Sequence, residues 1–326
     1  MPLDPRVKRF LDALAAGNPP NPRSVSVEQR RARLAELMRL GGPEAPLGDL
    51  QDLTLPGPAG PLAIRMLSPQ AEASARPRGG LLPGLVYFHG GGLVAGSIDT
   101  HASIARALCH GSGCRVIAVG YRLAPEHRFP AGLDDATAAI RHIANHAAQF
   151  GLDAARLGVC GDSAGGTLVA AACHALARSG GASLALQVLI CPILDYARRS
   201  GSRAEFACGY LVDQDTLDHD LEHYLPDGDR GGTNAEDPRI SPLRAADLSG
   251  LPPTIVHTAE CDPLRDEAQE YFRRLIPSGS ALAYTCHPGM IHLFYGLGAV
   301  IPYARTAVEK IGAEIRAALT HPGAIE

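Results

Sequence analysis

The sequence predicts an α/β fold with a mostly parallel central sheet covered by helices on both faces. Six apolar runs without polar alternation, each bounded by turn residues, are typical of strands buried on both sides: 85–88, 116–121, 157–160, 186–190, 254–258 and 282–286. Helical stretches separate these runs, at 100–110, 131–150, 167–179 and 266–275. Strands that alternate with helices along the chain favour parallel pairing, because each helix returns the chain to the same end of the sheet.

The first fifty residues are predicted to form helices that are separate from this sheet. One amphipathic helix is expected at 5–16. A second begins after Ser26, because Ser26 and Gln29 have the spacing of a capping box, and two consecutive glycines end it. Short β-rich runs follow, the clearest of them at 62–67.

The interval between Cys191 and Pro253 breaks the alternation of strands and helices. About sixty residues pass there with little strand character. We expect an insertion above the sheet that pairs with the N-terminal helices to form a cap, since loops of this length in compact domains are usually functional. A surface excursion without a role is the alternative. The predicted organisation is a cap segment at 1–50, the first part of the core at 51–195, a cap insertion at 196–240 and the second part of the core at 241–326.

Composition excludes several functional classes. The 326 residues are 46% hydrophobic and 20% charged, which is typical of a soluble globular protein. A net charge of −4 supplies no positive field for nucleic acid or an anionic membrane. The two lysines, Lys8 and Lys310, do not follow a glycine, which disfavours ATPase, kinase and pyridoxal-phosphate enzymes. Eight cysteines without a C-x-x-C spacing, and no apolar run of membrane-spanning length, predict a cytoplasmic protein with reduced thiols and no cofactor.

One serine has the surroundings of a nucleophile. Ser163 lies in G-D-S-A-G at 161–165, after the predicted strand at 157–160 and before the predicted helix at 167–179. Glycines two residues before and after the serine permit a sharp strand-to-helix turn that exposes the hydroxyl, with the helix N-terminus facing the same point. Because G-x-S-x-G alone is a weak signal, the strand and the helix around it carry the assignment. We expect Ser163 to be the nucleophile.

A second glycine-rich segment, H-G-G-G at 89–92, directly follows a predicted strand. Its glycines allow backbone N–H groups to approach a reacting carbonyl without a Cβ in the way, as an oxyanion hole requires. We expect the N–H groups of Gly90, Gly91 and Ala164 to form that hole. The alternative is the dinucleotide loop of an oxidoreductase, because residues 90–95 fit G-x-G-x-x-A. That loop requires an acidic residue after the next strand, where this chain has Arg122.

An activated serine also needs a base and an acid that orients the base. After a nucleophile turn of this kind, the order along the chain is serine, acid, histidine, each on a loop that follows a strand. Asp262 follows the predicted strand at 254–258, and His292 follows the one at 282–286. We therefore expect Asp262 and His292 to complete a triad with Ser163.

Five segments in this order resemble the bacterial hormone-sensitive-lipase-like esterases, family IV of the α/β-hydrolase superfamily. They are HGGG at 89–92, YRLAPEHRFPAGLDDA at 121–136, GDSAGG at 161–166, AECDPLRDEA at 259–268 and PGMIH at 288–292. The resemblance covers about residues 50–320. It implies an α/β-hydrolase fold with a helical cap, the triad Ser163, Asp262 and His292, and hydrolysis of carboxylic esters, usually with short acyl chains.

Other acidic and basic residues near these segments have structural interpretations. Asp266 and Glu260 are alternatives for the acid, but Asp266 is expected inside the next helix and Glu260 matches a structural position of the family. His287 is an alternative base, expected instead to be a structural histidine at a strand end. His89 is expected to order the glycine loop through hydrogen bonds rather than to carry protons.

Two further groups of side chains, one a possible metal face and one a pair of cysteines, also have structural interpretations. His219 and His223 are spaced i, i+4 and have Asp215 and Glu222 nearby, but no third ligand is evident, so a solvated cap helix is the preferred interpretation. Cys160 and Cys261 flank the predicted functional segments, and we expect both to be buried small hydrophobic residues.

The predicted function is a carboxylesterase that hydrolyses short- to medium-chain acyl esters through an acyl-enzyme. The substrate pocket is expected to be lined by Phe206, Tyr210 and Leu211 of the cap, together with Leu93. Leu93 and Leu293 stand where the family usually has an aromatic residue and a glycine, which affects the shape of the pocket.

Four alternatives stay open from the sequence: a non-catalytic small-molecule receptor on the same fold, a nucleotide-dependent oxidoreductase, an acyltransferase and a lactonase. A small-molecule ester is the expected partner, without nucleic acid or membrane. A homodimer is the quaternary state proposed.

Overall fold

The central sheet contains eight strands within the residues that the structure describes. The computed structural model describes residues 2–70, 80–197, 201–226 and 233–320. Its strands are β1 (Asp49–Gly57), β2 (Gly60–Ser68), β3 (Leu82–Phe88), β4 (Arg115–Gly120), β5 (Leu152–Asp162), β6 (Leu186–Ile190), β7 (Thr254–Cys261) and β8 (Ala281–Ile291). They lie in the order β1-β2-β4-β3-β5-β6-β7-β8. The pairs β1 with β2 and β2 with β4 are antiparallel, and the others are parallel. The predicted α/β class is therefore confirmed.

Helices cover both faces of the sheet. They are α1 (Pro5–Ala16), α2 (Val27–Met38), α3 (Ala102–Ser112), α4 (Ala131–Asn145), α5 (Ala164–Arg178), α6 (Gly201–Glu205), α7 (Gln214–Tyr224), α8 (Arg265–Leu275) and α9 (Tyr303–Thr320). Side chains of α3 and α9 belong to one buried apolar cluster, and those of α4, α5 and α8 belong to another. Leu85 and Tyr87 of β3 enter the first cluster, whereas Val86 and Phe88 enter the second. The continuous apolar run of β3 thus fills both faces, because successive side chains of a strand point in opposite directions.

Three strands run further than their apolar runs predict, and each ends one residue before a predicted catalytic residue. β5 ends at Asp162, β7 at Cys261 and β8 at Ile291. Polar and small residues begin these extensions and interrupt the apolar runs, so hydrophobic patterning does not detect them. Because β5, β6, β7 and β8 are parallel, the residues that follow β5, β7 and β8 meet at one edge of the sheet.

The N-terminal helices form where the sequence predicts them. The Asp4 carboxylate accepts the N–H groups of Arg6 and Val7 and so caps α1. Ser26 Oγ accepts the N–H of Gln29 at 3.2 Å, and Gln29 Oε1 accepts the N–H of Ser26 at 3.0 Å. This reciprocal capping box satisfies two backbone donors at the start of α2.

The interval between β6 and β7 contains α6 and α7, and no strand is present in its described part. The N-terminal segment reaches α7 through three ion pairs: Arg23 with Glu222 at 2.9 Å and with Asp215 at 3.9 Å, and Arg30 with Asp220 at 3.1 Å. The division into core and cap at residues 50, 195 and 240 stays a prediction. Residues 198–200 and 227–232 of the interval lie outside the described residues.

Two properties of the whole chain bear on the sequence predictions. Within the described ranges, no helix combines the length and the apolar character that crossing a membrane would require. All eight cysteines are free, and Cys208 alone among them is exposed. The thiols are therefore unpaired, as the sequence predicts.

Candidate active site

The nucleophile candidate lies in a sharp turn between β5 and α5. Ser163 adopts φ 51° and ψ −121°, a left-handed backbone conformation that L-residues rarely adopt. The flanking glycines make the turn possible: a Cβ on Gly161 would lie 2.3 Å from the carbonyl oxygen of Gly165, and a Cβ on Gly165 would lie 2.1 Å from that of Phe88. The first turn of α5 therefore packs directly against the backbone of β3, and its N-terminal N–H groups face the space beside Ser163.

A histidine and an aspartate connect to this serine in a continuous chain of hydrogen bonds. His292 Nε2 lies 2.9 Å from Ser163 Oγ, and His292 Nδ1 lies 2.8 Å from Asp262 Oδ2. Because an ionised carboxylate only accepts hydrogen bonds, Nδ1 carries the proton and Nε2 of the neutral ring accepts from the serine hydroxyl. Asp262 Oδ1 accepts the N–H of Leu264 at 2.8 Å, which holds the carboxylate in place. All three side chains of the predicted triad are buried and in contact.

The glycine loop differs from the prediction in one residue. The N–H of Gly90 donates to Asp162 Oδ1 at 3.1 Å, so it is already engaged and is not free for a substrate oxygen. Gly91 and Gly92 have φ of 119° and 69°, and their N–H groups have no acceptor among the described residues. Ala164 is the first residue of α5, where a backbone N–H has no partner within the helix. The free donors are therefore those of Gly91, Gly92 and Ala164, which corrects the expectation for Gly90.

Asp162 is a residue of this site that sequence reasoning missed. Its buried carboxylate accepts the hydroxyl of Tyr87 at 2.5 Å and that of Tyr295 at 3.1 Å, in addition to the N–H of Gly90. Burial raises the pKa of Asp162, and the two tyrosine hydrogen bonds oppose that shift. Its position directly before Ser163 is the one signal in the sequence that could have drawn attention to it.

His89 orders the loop, as predicted. Its Nδ1 lies 2.8 Å from the carbonyl oxygen of Gly90, which only accepts, so Nδ1 is the donor. The ring stacks on Tyr121 with centroids 4.4 Å apart, and the Tyr121 hydroxyl donates to the carbonyl oxygen of His89 at 2.7 Å. Burial lowers the pKa of His89 to about 3, so the ring stays neutral near pH 7.

The alternative acids and base lie in structural positions. Glu260 Oε2 accepts the N–H of Gly289 at 2.7 Å, and Asp266 lies in α8, where it accepts the N–H of Ser202 at 2.8 Å. His287 lies within β8, hydrogen-bonded to His257 at 3.1 Å and to the Tyr303 hydroxyl at 3.1 Å. These three residues are hydrogen-bonded to neighbouring parts of the fold and not to Ser163.

The potential metal ligands separate into two groups. His219 and His223 lie on α7 with their Nε2 atoms 3.3 Å apart, a distance at which one ring donates to the other. Among the described residues, one group of three ligand side chains lies within 4.8 Å of one another, formed by Cys191, Asp262 and His292. Two of its members belong to the hydrogen-bonded triad.

The predicted pocket residues lie in two places. Leu93 directly follows the glycine loop and is 2% exposed. Phe206, Tyr210 and Leu211 lie between α6 and α7, where Phe206 packs edge-on against Tyr210 with centroids 4.9 Å apart. The guanidinium carbon of Arg265 lies 5.3 Å from the centroid of the Phe206 ring. Whether these four side chains line a substrate pocket stays a prediction.

Comparison with known proteins agrees with this geometry. A family model described as the alpha/beta hydrolase fold matches residues 85–296, which include the glycine loop and all three triad residues. The chain belongs to the α/β-hydrolase family. The predicted fold and the resemblance to hormone-sensitive-lipase-like esterases are confirmed.

Curated relatives of this family member are ester hydrolases. The chain is similar to the carboxylic ester hydrolase LipN of Mycobacterium tuberculosis, with 39% identity over 76% of this chain and 65% of LipN. It is similar to the ethyl acetate hydrolase of Pseudomonas putida, with 35% identity over 93% of this chain and 95% of that protein. The structure of an ester hydrolase from the metagenome of Lake Arreo superposes with a TM-score of 0.90 at 40% identity, covering 97% of this chain and 98% of that one. The predicted carboxylesterase class is confirmed.

Proposed function

We propose that this α/β hydrolase cleaves short- to medium-chain carboxylic esters through an acyl-enzyme formed on Ser163. The observation that carries the proposal is the continuous chain from Asp262 to His292 to Ser163, with distances of 2.8 and 2.9 Å. This arrangement of acid, base and hydroxyl activates a serine that is otherwise a weak nucleophile.

The first half of the reaction acylates the enzyme. His292 Nε2 takes the proton from Ser163 Oγ as the oxygen attacks the ester carbonyl, and the protonated ring then gives that proton to the departing alcohol. Asp262 keeps the ring in the tautomer with Nδ1 protonated and stabilises the imidazolium that forms. Water attacks the acyl-enzyme in the second half, with His292 again as the base, and the carboxylic acid leaves.

The N–H groups of Gly91, Gly92 and Ala164 are proposed to hold the negative oxygen of each tetrahedral intermediate. Each is free to donate within the described residues. Ala164 directly follows Ser163, and a Cβ on Gly90, the residue before Gly91, would lie 3.1 Å from Ser163 Cβ. Preorganised donors of this kind are typically worth about 10²- to 10³-fold each in kcat. The neighbouring Gly90 contributes by holding the loop to Asp162.

The preference for small esters is a proposal that rests on similarity and on the site. The name of the Pseudomonas putida relative describes a substrate with a two-carbon acyl group, and that relative matches almost the whole of this chain. Ser163 itself is only 7% exposed, so the substrate must enter a confined space. We also propose a cap formed by the N-terminal helices and the α6–α7 segment, a cytoplasmic location and a homodimer, the last to be tested by sedimentation velocity.

The experiment combines a substrate series with one substitution. p-Nitrophenyl esters of increasing acyl length are compared for kcat/KM on the parental protein, Ser163→Ala and Ser249→Ala, a control on an exposed serine. We expect Ser163→Ala to lose nearly all turnover and covalent labelling by a fluorophosphonate, and Ser249→Ala to retain both. Quantifying the acid released, with and without an added alcohol, separates hydrolysis from acyl transfer. Parental turnover by Ser163→Ala would refute the proposed nucleophile.

A further inference from the structure

A buried ion pair lies directly against the glycine loop. Asp220, on α7, is 3% exposed, and its Oδ2 accepts a hydrogen bond from Nη2 of Arg30, on α2, at 3.1 Å. A Cβ on Gly92 would lie 1.9 Å from that same Oδ2 atom, so the carboxylate rests on the Cα of Gly92. The helices α2 and α7 thus meet at the glycine loop that is proposed to bind the oxyanion.

The position of Asp220 is electrostatically unfavourable for the proposed reaction. A negative oxygen held by the N–H groups of Gly91 and Gly92 would form within roughly 5 to 7 Å of the carboxylate, given ordinary hydrogen-bond and backbone lengths. At about 6 Å and an effective dielectric constant of about 20, two like charges repel by an amount equivalent to about 100-fold in rate. An unpaired carboxylate at this place would therefore oppose the transition state.

Arg30 is the group that removes this charge. Among the described residues, Arg30 is the partner of the Asp220 carboxylate in both a hydrogen bond and an ion pair. Burial raises the pKa of Asp220, and the charges of Arg30 and of His219, the preceding residue on α7, oppose that shift. The guanidinium is permanently protonated, so the pair is neutral at every pH at which the carboxyl is ionised.

The ion pair between Arg30 and Asp220 is not needed merely to hold α7 against the N-terminal segment. Arg23 already binds α7 through Glu222 at 2.9 Å, and Arg128 Nη1 donates to the carbonyl oxygens of Glu222 and His223 at 3.0 and 2.9 Å. A buried ion pair stabilises a fold little more than apolar residues of similar volume would. The distinctive property of Arg30 and Asp220 is their contact with the glycine loop.

We propose that Arg30 is a charge-compensating residue of the active site, which acts on the reaction by neutralising Asp220 beside the oxyanion-binding N–H groups. This inference rests on the proposed function. It gives the N-terminal helix α2 a role in turnover although no residue of α2 belongs to the triad.

The test is a double-mutant cycle on Arg30 and Asp220, read as kcat and KM at the alkaline end of the activity range, where a carboxyl is ionised. Arg30→Gln is expected to lower kcat about 10- to 100-fold with a smaller change in KM, because the unpaired charge acts on the transition state. Arg30→Lys is expected to keep most of the rate. Arg30→Gln combined with Asp220→Asn is expected to return to within about threefold of Asp220→Asn alone.

Arg23→Gln is the matched control, since it removes an arginine that ties the same helix α7 without touching Gly92. A loss of kcat by Arg23→Gln equal to that of Arg30→Gln would assign the effect to helix docking and overturn the inference. A double variant as slow as Arg30→Gln would overturn it as well.

Two readouts keep the outcomes distinguishable. If Arg30→Gln does not fold, the comparison is made in the Asp220→Asn background, where a fall of about tenfold on adding Arg30→Gln contradicts charge compensation. Ser163→Ala is assayed alongside, and if it remains active the proposed function fails. If Ser163→Ala is inactive but the effects of the Arg30 and Asp220 substitutions on kcat are additive, only this inference is refuted.

Discussion

The N–H of Gly90 donates to the carboxylate of Asp162 over 3.1 Å, which joins the glycine loop to the residue directly before Ser163. Tyr87, on β3, and Tyr295, in the turn after His292, donate to the same carboxylate. One buried side chain therefore sets the relative positions of the loop, the nucleophile turn and the histidine turn.

Replacement of Asp162 tests that role. Asp162→Ala removes the acceptor of three hydrogen bonds and leaves the N–H of Gly90 unpaired. Because the N–H groups that follow Gly90 lose their fixed position, we expect kcat to fall about 10²-fold, with a clear loss of thermal stability. Tyr87→Phe removes one donor and should cost much less. Steady-state kinetics decide, and a parental kcat in Asp162→Ala would contradict the role.

Gly165 is predicted to be intolerant of any side chain. A Cβ there would lie 2.1 Å from the carbonyl oxygen of Phe88, so α5 would have to move away from β3. We expect Gly165→Ala to be strongly destabilised or insoluble and inactive. Gly180→Ala is the control, because Gly180 has φ 61° and nothing within 4 Å of its Cβ position, leaving a backbone cost of about 1 kcal/mol. Urea unfolding compares the two, and equal losses would refute the steric argument.

The pair Arg203 and Glu267 is predicted to hold the start of the α6–α7 segment on the core. Arg203 Nε donates to Glu267 Oε2 at 2.8 Å, and both residues are at most 2% exposed. Arg203→Met leaves a buried carboxylate without its cation, and we expect a loss of about 3 to 5 kcal/mol in unfolding free energy. Adding Glu267→Gln should recover part of that loss. The absence of any recovery in the double variant would show that packing, rather than the unpaired charge, is the cause.

Stability is predicted to fall in mild acid. Burial lowers the pKa of His89 to about 3 and those of His101, His174 and His287 to about 4. From pH 6.5 downward the unfolded chain binds protons that the folded chain refuses, so stability is complete above that pH and decreases as the pH falls toward about 4. Each of these histidines lowers the unfolding free energy by up to about 1.4 kcal/mol for each pH unit below 6.5.

Urea unfolding between pH 8 and 4.5 would measure this slope, and direct proton-uptake measurements would count the groups. His174→Asn should reduce the uptake by about one proton. An unfolding free energy that stays level from neutral pH into this acid range would contradict the assignment of these histidines as buried neutral groups.

The contact of Ser163, Asp262 and His292 could be predicted from the sequence, whereas the residues around them could not. Each of the three follows a strand, in the chain order that is typical of this turn. The engagement of Gly90 by Asp162 could not be predicted, since a backbone N–H shows no preference for one distant carboxylate in a linear pattern. The contact of Asp220 with Gly92 is likewise a product of how α7 packs. The extended strand ends escaped detection because they lack apolar periodicity.

The backbone of Ser163 has a consequence for engineering. Its conformation, φ 51° and ψ −121°, suits glycine and costs any other residue about 1 to 3 kcal/mol. The enzyme retains that strain because the hydroxyl must stand clear of the turn. Stability and reactivity therefore compete at a single position. Selection of this chain for heat resistance alone would favour Ser163→Gly, which would keep the fold and remove the hydroxyl.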